Sequence, residues 1–264
     1  MIFLVDDSGS MSSEVSKGRT RWDELQETFR IVCDLAGQFD SDGFDIRFLN
    51  RPGASNVKSN EEIESLFRPA PRGSTNLIDA LEAIYESPDC NPENTKKKLL
   101  VIVMTDGLPD GNTSRRRRKC GDLKGVMELV LEKNSLRGWE EWYCCSFVLC
   151  TEDDEVVSRY NEWDNKIPNF DVVDDYHSEL REIRRHRGAD FVFDRREYVA
   201  KIMLGSMDSY YDNLDEATNY FTDGAAAAPS STRVGTGSDW YTNVLFLGIV
   251  GLLVMRWIVY LLSS

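Results

Sequence analysis

Three oxygen-bearing side chains stand close together near the start of this chain. Asp6, Ser8 and Ser10 alternate with Asp7 and Gly9, directly after the apolar run Ile2, Phe3, Leu4 and Val5. A carboxylate and two hydroxyls at alternate positions can converge from one turn. The set is all oxygen, which suits Mg²⁺, Mn²⁺ or Ca²⁺ and does not suit zinc. Gly9 lets the backbone fold tightly there. The apolar residues 2–5 read as a short buried strand, and that strand must hold the turn in place.

A hydrophobic strand running into Asp-x-Ser-x-Ser resembles the metal-ion-dependent adhesion site of von Willebrand factor A domains. The resemblance implies a Thr from a second loop and an Asp from a third. Gly73-Ser74-Thr75-Asn76-Leu77 is similar to the second loop, with Thr75 as the ligand. The apolar run 99–104 ends in Thr105-Asp106-Gly107, which is similar to the third, with Asp106 as the ligand. Ser8, Ser10 and Thr75 would then give hydroxyl oxygens, and Asp6 and Asp106 would act directly or through water. Two carboxylates do not over-neutralise a divalent cation, so a further anionic ligand is accepted. In the family that ligand is typically an Asp or Glu of a protein partner. The bland alternative makes Ser8, Ser10 and Thr75 turn and cap residues only. Asp7, Asp23 and Asp110 lie near in sequence, with Asp7 on the alternate side of the chain.

The elements that must position these residues alternate along the chain. Strands are expected at 44–50, 99–104, 142–150 and 170–173, with a short edge strand at 54–58. Helices are expected at 22–39, 60–67, 74–86, 122–133, 153–166, 178–186 and 195–205, the last continuing through 206–220. This alternation predicts an α/β fold, a doubly wound and mainly parallel sheet with helices on both faces. It agrees with the Rossmann-like fold that the resemblance implies over roughly residues 1–205. Ligand loops then fall at the carboxyl ends of strands, where open α/β sheets bind. The run Phe193-Asp194 to Tyr198-Val199-Ala200-Lys201-Ile202 is also similar to a pattern in A domains of the intracellular fungal type, and no function follows from it.

The net charge of −14 argues against nonspecific nucleic-acid binding, which needs a basic surface. Within this acidic chain Arg115, Arg116, Arg117 and Arg118 form a basic cluster. It reads as a solvated helix start, or as a docking patch for an acidic partner or lipid head groups. The six Cys show no paired zinc spacing. Met1 is followed at once by the strand, with no signal peptide, so reduced thiols are expected. Core packing is expected for most of them, while Cys90 and Cys120 sit in contexts open to reaction or pairing. His177 and His186 read as surface residues.

Residues 206–221 read as a helical extension and 222–239 as a linker rich in Ala, Gly, Ser and Thr. The linker reaches at most roughly 60 Å. Residues 240–262 read as a transmembrane helix. The apolar part, 244–262, is about 28 Å long as a helix, enough to span a hydrocarbon core. Trp240 and Tyr241 sit where interfacial aromatics belong, Arg256 lies near enough to the end to snorkel, and Trp257 follows it. The expected placement is a single-pass tail anchor with the domain facing the cytosol, or a virion internal membrane.

No catalytic constellation stands out. There is no phosphate loop ending in Lys-Ser/Thr and no Gly-x-Ser-x-Gly. The sequence therefore reads as a non-enzymatic, membrane-anchored module for metal-dependent protein binding. One alternative is a scaffold that fastens a protein layer to a membrane in a large assembly, for example a membrane-containing virus capsid. Another is an Mg²⁺-dependent hydrolase, which would need a general base near the metal.

Overall fold

Strand β1 (Ile2–Val5) is apolar at every position and buried, because it is a central strand with a parallel neighbour on each side and helices over both faces. The computed structural model describes residues 1–39, 43–95, 97–110, 122–138, 142–164 and 166–216. After β1 come a short 3-10 turn (Gly9–Ser12) and a two-stranded antiparallel ribbon, β2 (Glu14–Ser16) and β3 (Arg19–Thr20). Helix α1 (Arg21–Phe39) leads to β4 (Phe44–Phe48) and the edge strand β5 (Ala54–Val57). Helices α2 (Asn60–Phe67), α3 (Leu77–Tyr85) and the one-turn α4 (Pro92–Thr95) precede β6 (Leu99–Thr105). Then follow α5 (Leu123–Asn134), β7 (Tyr143–Leu149), α6 (Asp154–Asp164), β8 (Phe170–Val173), α7 (Tyr176–Arg187), α8 (Arg195–Leu204) and the one-turn α9 (Ser209–Asp212).

The six-stranded sheet has the order β5-β4-β1-β6-β7-β8. All pairings are parallel except that of β5 with β4. Strand order reverses between β1 and β6, which is where such sheets leave a crevice at their carboxyl ends. Both strands run into an aspartate there, Asp6 after β1 and Asp106 after β6. Val5 pairs with Met104, and the Asp6 N–H donates to the Met104 carbonyl at 2.8 Å. The mixed α/β architecture expected from the alternation of elements is present.

Successive residues of β1 face opposite sides of the sheet. Phe3 meets Phe29 of α1 and Phe44 of β4 at ring separations of 5.0 and 5.2 Å. Ile2 and Leu4 join the core on the other face, with Leu81 of α3, Val130 of α5 and Tyr160 of α6. Helix α1 packs on α2 and α8, and α3 packs on α5. Ser59 begins α2 with a capping box: its hydroxyl accepts the Glu62 N–H while the Glu62 carboxylate accepts the Ser59 N–H.

The sequence predicts that the helix continues through 206–220, but residues 206–216 do not prolong α8. Gly205 lies so close to Asp171 of β8 that a methyl group there would meet the carboxylate. Ser206 turns inward to share a 3.0 Å hydrogen bond with Ser146 of β7. Asp208 then caps α9 by accepting the Tyr210 N–H. The fully buried Lys201 of α8 fastens this return. Its ammonium donates to the Tyr211 carbonyl at 3.2 Å and to Asp215 at 2.9 Å, and stands 3.4 Å from buried Glu179 of α7.

Cys33, Cys90, Cys144, Cys145 and Cys150 are free thiols, all buried except the half-buried Cys150. Cys90 therefore packs and does not pair. His177 and His186 are exposed, as expected. The Arg115, Arg116, Arg117 and Arg118 cluster, Cys120, the linker and the segment with Trp240, Tyr241, Arg256 and Trp257 lie outside the described residues. Among the described residues no helix is long and apolar enough to cross a membrane.

Candidate metal centre

At the end of β1 the chain turns through Asp6, whose side chain is wholly buried. Its Oδ1 accepts the Ser8 backbone N–H at 2.8 Å, and its Oδ2 accepts the Thr105 hydroxyl at 2.7 Å. The Ser8 and Ser10 hydroxyl oxygens are 2.9 Å apart, and Ser10 Oγ donates to Asp106 Oδ1 at 2.8 Å. Two strand ends, nearly a hundred residues apart in sequence, thus contribute to one row of oxygens. Burial pushes the Asp6 carboxyl up from its ordinary pKa, and nearby Asp106 pushes the same way. The hydrogen bonds from Ser8 and Thr105 oppose both.

The second loop is stitched to the other two through its backbone. The Gly9 N–H donates to the Gly73 carbonyl at 3.3 Å, and the Arg72 N–H to the Asp7 carbonyl at 2.6 Å. The Thr75 N–H donates to Asp110 Oδ2 at 2.8 Å, and the Asp110 N–H returns to the Thr75 carbonyl at 3.0 Å. Gly73 has a φ of +115°, and a side chain there would also run into Asn50. Thr75 is buried at this junction. Its contacts are with Asp110, and the row itself is made by Asp6, Ser8, Ser10 and Asp106.

Asp7 points elsewhere. Its Oδ1 accepts both Asn50 donors, at 2.8 and 3.0 Å, and its Oδ2 lies 3.2 Å from Arg51 Nε. Arg51 lies over the rings of Phe48 and Trp22. Asp23 accepts the Thr20 N–H and hydroxyl at the start of α1, away from the oxygen row.

Two residues of the site have roles that the sequence does not signal. Thr105 fixes Asp6, as described. Arg21, the first residue of α1, donates from Nη1 to Asp106 Oδ2 at 2.7 Å and from Nη2 to Thr151 Oγ1 at 3.1 Å. Arg21 also lines a cleft of about 230 Å³ together with Val15, Cys150, Tyr176 and Tyr198. Burial, and then Asp106 and Asp6, push the Cys150 thiol well above its ordinary pKa, which disfavours the thiolate. The Tyr160 hydroxyl donates to the Gly107 carbonyl at 3.0 Å and supports the third loop from the other face.

The donor chemistry fits a hard divalent cation. Among the described residues no group of three or more His, Cys, Asp or Glu side chains is arranged to hold a metal. A cation here would therefore rest on two carboxylates and on hydroxyl oxygens. Each carboxylate oxygen has two lone pairs, so the hydrogen bonds described leave acceptor capacity on Asp6 and Asp106.

No protein-family model matches the chain, and no curated protein matches it. Among solved structures it is similar to the PilB minor pilin from Streptococcus sanguinis, at 10% identity and a TM-score of 0.43, over 85% of this chain and 63% of that one. The chain thus spans less than two thirds of that pilin's length. A likeness at this level carries no argument about fold or function.

Proposed function

We propose that this chain is a membrane-anchored protein-binding module of the von Willebrand factor A type that works through a divalent cation. Asp6, Ser8, Ser10, Thr75 and Asp106 hold Mg²⁺, for which Mn²⁺ or Ca²⁺ can substitute. When bound, the cation supplies a coordination position for a carboxylate oxygen of an Asp or Glu on a protein partner. One observation carries this reading: the Ser8–Ser10–Asp106 row runs beside Asp6 where strand order reverses.

The chain's own residues do the preparatory work. Thr105 and the Ser8 N–H hold the Asp6 carboxylate in place before any ligand arrives. Ser10 orients Asp106 from one side. The backbone links among Gly9, Gly73, Thr75 and Asp110 set the three loops around one point, so little ordering remains for binding to supply. The role is binding and not catalysis. On this reading residues 240–262 anchor the module in a membrane and 222–239 tether it.

The test is partner capture by the full-length chain in mild detergent. Binding should be lost in EDTA, restored by Mg²⁺, and absent in Asp6→Ala while the fold persists. A partner that stays bound through both treatments marks a permanent scaffold instead. Turnover of a substrate that depends on Mg²⁺ and on Asp106 would mark an enzyme.

A further inference from the structure

Arg21 has no counterpart among the oxygen donors, yet it takes one oxygen of a proposed ligand. Its guanidinium holds Asp106 Oδ2 at 2.7 Å while Ser10 holds Oδ1 at 2.8 Å, so the Asp106 carboxylate is gripped from both ends. Thr151, itself buried, anchors the other guanidinium nitrogen. The Asp106 carboxylate is fully buried, and the Arg21 side chain is about one fifth exposed (22%), so water screens this pair weakly.

We infer that Arg21 is a positioning residue that sets the charge of the centre, weakening its hold on the cation and giving the loaded centre its demand for an anionic partner group. This rests on the binding reading given above. With both carboxylates ionised, Asp6 and Asp106 carry two negative charges and Arg21 cancels one. A divalent cation then leaves a single positive charge, which one incoming carboxylate neutralises. Without Arg21 the loaded centre would already be neutral and would discriminate poorly between a carboxylate and an amide. Arg21 also repels the cation directly. A fixed cation in a partly buried site thus trades metal affinity for ligand selectivity, as Coulomb's law requires at short range.

A merely structural Arg21 and a charge-setting Arg21 predict opposite signs. The full-length protein in detergent is titrated with Mn²⁺ by calorimetry, as wild type and as Arg21→Gln, Arg21→Met and Arg21→Lys. The loaded proteins are then titrated with a short peptide containing one Glu and with its Gln counterpart. Arg21→Gln should bind Mn²⁺ roughly tenfold more tightly, by the short-range Coulomb argument, and should lose most of its preference for Glu over Gln. Arg21→Met fills the same space without charge and should behave alike if Arg21→Gln misfolds. Arg21→Lys keeps the charge and should stay near wild type in both. Weaker Mn²⁺ binding in both neutral variants, or an unchanged Glu preference, overturns the inference while leaving the metal reading intact. Absence of Mn²⁺ binding in the wild type overturns the metal reading itself, and the inference with it.

Discussion

At the scale of single residues, the centre is built from short hydrogen bonds to two carboxylates, and each bond can be removed separately. Thr105→Val keeps the shape of the side chain and deletes the 2.7 Å bond to Asp6. A buried hydrogen bond to a charged acceptor contributes about 1.5–3 kcal/mol, so a loss of that size is expected in urea denaturation. Asp106→Asn keeps an acceptor for Ser10 but removes the partner charge of Arg21. It should abolish any rise in melting temperature on adding Mn²⁺ and lower the metal-free melting temperature. The Asp-x-Ser-x-Ser loop and Asp106 were legible because each directly follows an apolar run. The roles of Thr105 and Arg21 were not. The bonds they make join residues 99 and 85 positions apart, and nothing in local spacing reports a partner that distant.

At the scale of elements, most strands and helices followed from apolar periodicity, since each has one or two buried faces. Where burial is slight, the pattern fails. The β2–β3 ribbon lies between exposed and half-buried residues, and its polar sequence gives no alternation to read. The end of α8 was overread for another reason. Apolar and aromatic residues continue past it, but Gly205 meets Asp171 and Ser206 turns inward to Ser146. Gly205→Ala should therefore cost about 1–3 kcal/mol, since overpacking a tight contact forces its neighbours to shift. The measurement is urea denaturation, with α9 and the Lys201 contacts loosening first in hydrogen exchange. Ser59→Ala at the start of α2 should cost about 1 kcal/mol, the usual loss for a removed helix cap.

At the scale of the whole molecule, the charge balance of the interior sets a pH dependence. One buried ammonium, Lys201, serves Glu179, Asp215 and, through a longer-range attraction, Asp171. Burial pushes the Asp171 carboxyl up to about 8, and Glu179 is raised for the same reason, with Lys201 partly offsetting each. The sign follows from proton linkage. The folded state keeps protons that the unfolded chain has already released above the ordinary carboxylate range near pH 4. Stability should therefore be highest toward pH 4–5 and fall as pH rises through about 8. Urea denaturation at pH 5 and pH 8 checks this, and Asp171→Asn should flatten the difference. The acidic composition announced many carboxylates, but which of them are enclosed emerges only when β8, α7 and α8 pack together.

The proposed binding role depends on a divalent cation held by the oxygen row at the reversal of strand order. The most direct measurement is the melting temperature of the full-length protein against Mg²⁺ or Mn²⁺ concentration, beside Asp6→Ala. A saturable rise that the substitution removes is expected, because a ligand bound only by the folded state stabilises it by mass action. A well-folded wild type with no response to either metal would contradict that role.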